Sequence, residues 1–184
     1  MEDVPRPTIK GLFVNSHIRA LEAERGHAGL IELQRKLGHP ARYNSSDDVP
    51  VAEEIRILEF IVEITSPAIL SQEEREREAG RLHFRNFSTT VMWTLVNQFF
   101  GTDFKFLVMQ SSRIAGWVFR GIEFASEDLG ESSVRITMFN NDYPLLHFQG
   151  FFEQWLAAVG LTGTVHAVSD TRGRYEYVLE WRAQ

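Results

Sequence analysis

Hydrophobic and polar positions change period partway along this chain. Through the first hundred or so residues the apolar side chains recur every three or four positions; from Val118 onward they alternate. Ile9, Leu12, Phe13, Ala20 and Leu21 keep helical spacing as far as Gly26, and Ala28 to Leu37 predicts a second short helix, stopped by Gly38 with Pro40 beyond. Tyr43 to Pro50 reads as a polar loop in which Asn44, Ser45, Ser46, Asp47 and Asp48 compete for local hydrogen bonds. A helix over Val51 to Thr65 closes before Pro67 and is apolar around most of its circumference, so it is expected to be central. Ser71 with Glu74 three residues on has the form of a capping box. The helix it opens begins as a charge run, Glu73 to Arg81, turns apolar at Leu82 and continues to Phe100, where Gly101 ends it. A last helical stretch starts at Asp103.

Alternation then predicts strands. Val118, Ile122 and Phe124 form one run, Val134, Ile136 and Met138 the next, with a turn over Asp128 to Ser132 between them. Asn140, Asn141 and Asp142 make a further turn, with Asp142 expected as N-cap and Pro144 in the first turn of a helix. That helix gathers Leu145, Phe148, Phe152, Trp155, Leu156 and Val159 on one face and stops at Gly160. Thr164 to Ser169 is strand-like, and Asp170 to Gly173 turns into the clearest strand, where Tyr175, Tyr177, Leu179 and Trp181 face one way. The expected class is α+β: a helical N-terminal half packed with a four-stranded, mainly antiparallel sheet of strand-strand-helix-strand-strand order. We read one domain, with residues 1–8 a flexible leader, 9–115 helical, and 116–184 the sheet and its crossing helix.

Composition narrows the function. At 184 residues with 43% hydrophobic content the chain can bury a sizeable core. A net charge of −6 without a clustered basic segment argues against nucleic acid as partner. The absence of cysteine excludes disulfides, thiolate zinc sites and cysteine nucleophiles. The acidic, proline-marked start does not fit a signal peptide, and no run is long enough for a membrane span, so a cytoplasmic protein is expected.

Catalytic signals are missing. The six histidines, His17, His27, His39, His83, His147 and His166, show no metal-ligand spacing, and no metal site is expected. His147 could line a pocket, although a surface or satisfied core histidine is the commoner outcome. The acidic pairs Asp47-Asp48, Glu53-Glu54 and Glu73-Glu74 are explained by helix dipoles. No Gly-x-Ser-x-Gly elbow or phosphate loop occurs. What remains is aromatic: Phe84, Phe87, Met92, Trp93, Phe99, Phe100, Phe104, Phe106 and Trp117 cluster where helices give way to strands. They read as ordinary core, as rings around a cavity, or, for Phe99, Phe100 and Phe104, as an exposed patch for self-association.

From Lys10 to Trp181 the chain resembles a bacterial family abundant in myxobacteria. Lys10-Gly11-Leu12-Phe13, Tyr143-Pro144, Gln149-Gly150-Phe151-Phe152-Glu153, Leu156 to Gly160 and Tyr175-Glu176-Tyr177-Val178-Leu179-Glu180-Trp181 carry the likeness. The wider order of elements is similar to heme–nitric oxide/oxygen-binding domains, 4-vinyl-reductase sensory domains and Golgi transport-particle subunits. The resemblance implies a fold and a cavity; the function is not implied by the fold. Heme domains of this type take a proximal histidine between helices and sheet, and Gly101 to Gly116 contains none. Their Tyr-x-Ser-x-Arg motif is also replaced, by Phe139-Asn140-Asn141-Asp142-Tyr143.

The leading expectation is a non-enzymatic ligand-binding or sensory domain for a small apolar molecule, acting alone or through a protein partner. Phe87, Val91, Leu95, Met109 and Trp117 would wall the ligand site between the helix Leu82–Phe100 and the sheet, with Arg113 or Arg120 at its mouth. The alternative is a structural interaction module, a homo-oligomer or assembly subunit without ligand; a heme gas sensor ranks third. No cofactor is specified.

Overall fold

The computed structural model describes residues 6–66, 71–101, 103–171 and 173–183. Residues 1–5 of the expected leader, Pro67 and part of the turn from Asp170 to Gly173 lie outside them. Strand β1 (Thr8–Lys10) leads directly into α1 (Gly11–Leu37). Inside α1, Gly26 has φ +64° and ψ −166°, which separates two helical segments at the position where the pattern broke. Gly38 then caps the second segment in the left-handed conformation.

Part of the supposed polar loop is strand: β2 (Asp48–Pro50) pairs antiparallel with β1, and β3 (Phe119–Arg120) pairs with its other edge. Helix α2 (Val51–Thr65) follows with the expected bounds. Helix α3 (Gln72–Phe87) opens on the Ser71/Glu74 capping box.

The single helix expected up to Gly101 is two, because α3 stops at Phe87 and α4 (Val91–Phe100) starts anew. The cause is local. Ser88, Thr89 and Thr90 turn their hydroxyls back to the carbonyls of Arg85, Asn86 and Phe87 at 2.8, 2.8 and 2.7 Å, and Thr90 then caps α4. Helices α5 (Phe104–Met109) and α6 (Ser111–Val118) follow, so Val118 ends a helix and does not open a strand.

The C-terminal part agrees with the expected class. Strands β4 (Glu123–Gly130), β5 (Ser133–Phe139), β6 (Leu161–Thr171) and β7 (Arg174–Ala183) form a four-stranded antiparallel sheet in the order β4-β5-β7-β6. Between β5 and β6 lies α7 (Leu145–Ala158), whose N-cap is Pro144, not Asp142. Val134, Ile136, Met138, Tyr177 and Leu179 are fully buried on the covered face of the sheet.

Helix α7 is held between that sheet and α3 at unusually short range. A Cβ on Gly80 would fall 1.7 Å from the carbonyl oxygen of His147, and one on Gly150 would fall 1.9 Å from that of Arg77. Two glycines, one on each helix, therefore set how closely α3 and α7 approach. No described helix is long and apolar enough to cross a membrane.

Candidate functional site

Each of four elements places polar groups inside an otherwise apolar stripe. On α1, His17 lies in the buried series Phe13, Val14, His17, Ile18 and Leu21. On α2, Glu54 lies with Val51, Ile57, Leu58 and Ile61. On α3, His83 sits beside Phe84 and Phe87, and on α7 His147 precedes Phe148. The helical repeat carries these side chains into the core together with their apolar neighbours. All four, and Tyr143 just before α7, are buried.

They meet. His17 Nε2 is 2.9 Å from Glu54 Oε1, and the amide nitrogen of Asn86 is 3.1 Å from His17 Nδ1. With Asn86 donating to Nδ1, Nε2 of His17 carries the proton given to the carboxylate. The Tyr143 hydroxyl donates to the other oxygen, Glu54 Oε2. His83 Nε2 faces Glu54 Oε1 at 3.8 Å, while its Nδ1 lies 2.9 Å from His147 Nε2. The buried carboxylate thus accepts one hydrogen bond on each oxygen, from His17 of α1 and from Tyr143, with the His83 ring close by.

Burial dominates the electrostatics. It pushes the Glu54 carboxyl upward, but His83, His17 and the Tyr143 hydroxyl more than offset this and hold it below its ordinary range. Burial lowers the His83 imidazole to about 4 despite the pull of Glu54, with His17 adding to the drop. It depresses His147 well below 6.5, helped by His83 and His17. Burial also raises the Tyr143 hydroxyl well above 10, reinforced by Glu54. At neutral pH the cluster holds an ionised carboxylate beside neutral His83, His147 and Tyr143.

Next to this cluster lies a cavity of about 50 Å³. Its lining is almost wholly apolar: Phe87 and Trp93 from the helical part, Ile114, Ala115 and Val118 from α6, and Phe148, Phe151 and Trp155 from α7. His83 also forms part of the wall, so one imidazole touches both the polar cluster and the cavity. The indole Nε1 of buried Trp155, another lining residue, has no hydrogen-bond partner among the described residues. The surrounding rings interlock. Phe84 stacks on Trp155 at 5.7 Å and 20°, and Phe104 meets Trp155 edge-on at 5.3 Å.

Of the residues expected to form the ligand wall, Phe87 lines this cavity and the others do not. Val91 is 73% and Leu95 37% exposed, because the break after Phe87 restarts the helical phase and turns that stripe outward. Arg113 and Trp117 lie off the buried Ser111, Ile114, Ala115 and Val118 face of α6. Met109 is half-buried against the core, and Arg120 pairs with Asp48 at 2.5 Å on the small sheet. In the expected self-association patch, Phe99 is exposed, Phe100 half-buried and Phe104 buried.

Spacing along the chain could not reveal the polar cluster, because its members come from separate elements. The available signal was a carboxylate within an apolar face. Glu54 was explained as a helix-dipole residue alongside Glu53. It instead turns inward, while Glu53 accepts from the Tyr43 hydroxyl at 2.9 Å.

A profile of a protein family of unknown function, DUF2378, matches residues 2–182, and the chain belongs to that family. No curated protein sequence matches it. Among solved structures the chain is similar to an oxygen-binding H-NOX domain related to soluble guanylate cyclases, in its oxygen complex. That alignment has a TM-score of 0.70 and 17% identity over 94% of this chain and 95% of the other. A mutant of the T. Tengcongensis H-NOX gives 0.66 and 19% over 94% and 97%. A structure described under heme redox potential and protein-induced porphyrin distortion gives 0.69 and 17% over 93% and 99%. At these identities the likeness establishes a heme-NO-binding-like fold.

Proposed function

We propose that this protein is a non-enzymatic sensory domain, acting as one domain in the cytoplasm, that holds a small apolar molecule in the cavity among α3, α6, α7 and the sheet. The observation that carries the reading is the apolar cavity itself, lined in part by Trp155, whose buried indole N–H has no hydrogen-bond partner among the described residues. Water is held poorly in such a space, since it needs about two to four polar partners. A small apolar molecule would fill it, and one carrying an acceptor atom could also offer the Trp155 indole N–H a partner. The size is limiting: about 50 Å³ is a third of the roughly 150 Å³ that accommodates benzene. His83 connects the occupant to Glu54, so a ligand that shifts α7 against α3 would also disturb the cluster.

The H-NOX likeness supports small-molecule sensing as the theme of this fold, but heme does not fit these residues. The cavity is far below the roughly 300–1,000 Å³ of ordinary cofactor pockets. Its one histidine has Nδ1 engaged by His147 and Nε2 directed at Glu54.

Xenon-pressurised crystals of the full chain test the reading. Xenon among Phe148, Phe151 and Trp155 is the expected result, and the Trp155 indole ¹⁵N–¹H resonance should move when a short-chain ketone is added. No xenon and no shift would remove the ligand. The alternative, an interaction module, draws on the exposed Val91, Leu95 and Phe99, spaced four apart on α4. It predicts an oligomer by light scattering, and a monomer dismisses it.

A further inference from the structure

We propose that His17, Glu54 and His83 form a mononuclear binding site for a divalent first-row transition metal ion. One ligand atom from each lies within 4.8 Å of the others, and all three side chains are buried. Both imidazoles present Nε2 to the same carboxylate oxygen, Glu54 Oε1, at 2.9 and 3.8 Å. Donors around a tetrahedral ion, with bonds of about 2.0–2.1 Å, stand about 3.3 Å apart. The two imidazole-to-carboxylate separations straddle that spacing, and all three ligand atoms lie within 4.8 Å of one another, so movement of the side chains toward a common centre admits the ion. Two imidazoles and one carboxylate suit zinc or iron(II), with coordination positions left for water.

Each of these ligands has a second contact of the kind that orients metal ligands. His83 Nδ1 faces His147 Nε2 at 2.9 Å, His17 Nδ1 faces the Asn86 amide at 3.1 Å, and Glu54 Oε2 accepts from Tyr143. When Nε2 binds a metal, the remaining Nδ1–H must find an acceptor. His147 Nε2 provides one for His83, and the Asn86 side chain provides its oxygen to His17 after an amide flip. A divalent ion would also supply the positive charge that the buried carboxylate lacks in the core. The site depends on α1, α2 and α3 and holds whether or not anything enters the cavity. Because His83 also lines that cavity, the ion would sit one side chain away from an occupant.

The test uses the full chain, stripped with a chelator and titrated with zinc(II) and, as an optical probe, cobalt(II). One ion per chain is expected, with visible cobalt absorption of a four- or five-coordinate site. Glu54→Gln should abolish binding, and Asn86→Ala should weaken it about 10–100-fold, with circular dichroism confirming that each variant folds. Anomalous scattering from zinc-loaded wild-type crystals locates the ion without any variant. Zinc among His17, Glu54 and His83 supports the site. No uptake by the stripped chain, zinc located elsewhere, or undiminished binding by folded Glu54→Gln overturns it.

Discussion

His83 and His147, 64 positions apart in sequence, bring Nδ1 and Nε2 within 2.9 Å of each other inside the core. The contact exists because α3 and α7 cross at backbone range, and that range exists because Gly80 and Gly150 carry no side chain at the crossing. Local chain chemistry thus reaches the functional cluster through two absent methyl groups. The same crossing brings Phe151 against Phe84 and His83 at 5.2 and 5.3 Å, which shapes the cavity wall.

Gly80→Ala and Gly150→Ala should each cost about 3 kcal/mol or more, the upper range for forcing atoms into a filled interior. The atoms met are backbone carbonyl oxygens, which cannot rotate away as a side-chain tip would. Urea unfolding midpoints measure this. A change below about 0.5 kcal/mol in both variants would show that the helices stand farther apart.

Tyr143→Phe should cost about 1.5–3 kcal/mol, the range for a hydrogen bond to a charged group. The hydroxyl lost is the donor to Glu54 Oε2. The replacement ring keeps the packing against His147, whose centroid lies 4.6 Å away. Denaturant titration of the two proteins gives the difference directly.

Acid should destabilise the metal-free fold. His83 takes up its proton near 6.5 when unfolded and at about 4 when folded, so between those values the unfolded chain binds more protons. Its contribution is full above about pH 6.5 and is lost as the pH falls toward 4, on the order of 3 kcal/mol. Glu54, held below its usual 4.5, adds a loss of the same sign under that pH. Unfolding midpoints taken with chelator at several pH values check this, and a flat profile from 7 to 4 contradicts it.

Phe151→Ala should lower stability by about 3–5 kcal/mol and enlarge the cavity that Phe151 lines. Benzene, too large for the parent space, should then raise the melting temperature of the variant. Val91→Ser, on an exposed position of α4, should stay within about 0.5 kcal/mol and leave xenon uptake unchanged. If Val91→Ser alters ligand binding, the wall first read from the sequence regains its place.

Much of the architecture was legible in the residues because it depends on local rules. Capping chemistry marked the start of α3, and apolar spacing marked α2 to the residue. Alternation marked β5 and β7 and the side chains they bury. The break at Ser88 to Thr90 is hidden in the sequence because the apolar series Phe84, Phe87, Val91 and Leu95 keeps helical spacing across it. Hydroxyl-to-carbonyl bonds there outcompete helix continuation, and the missed break carried Val91 and Leu95 to the wrong side of the helix.

By itself, then, the sequence placed α2, the start of α3, the body of α7 and the strands β5 and β7, and showed that large rings gather where helices give way to strands. Only tertiary structure decided which rings enclose space, and that His17, Glu54, His83, Tyr143 and His147 converge. The physical reason is range. Helical and strand periods are set within a few residues, whereas a buried cluster drawn from four elements depends on how closely those elements pack.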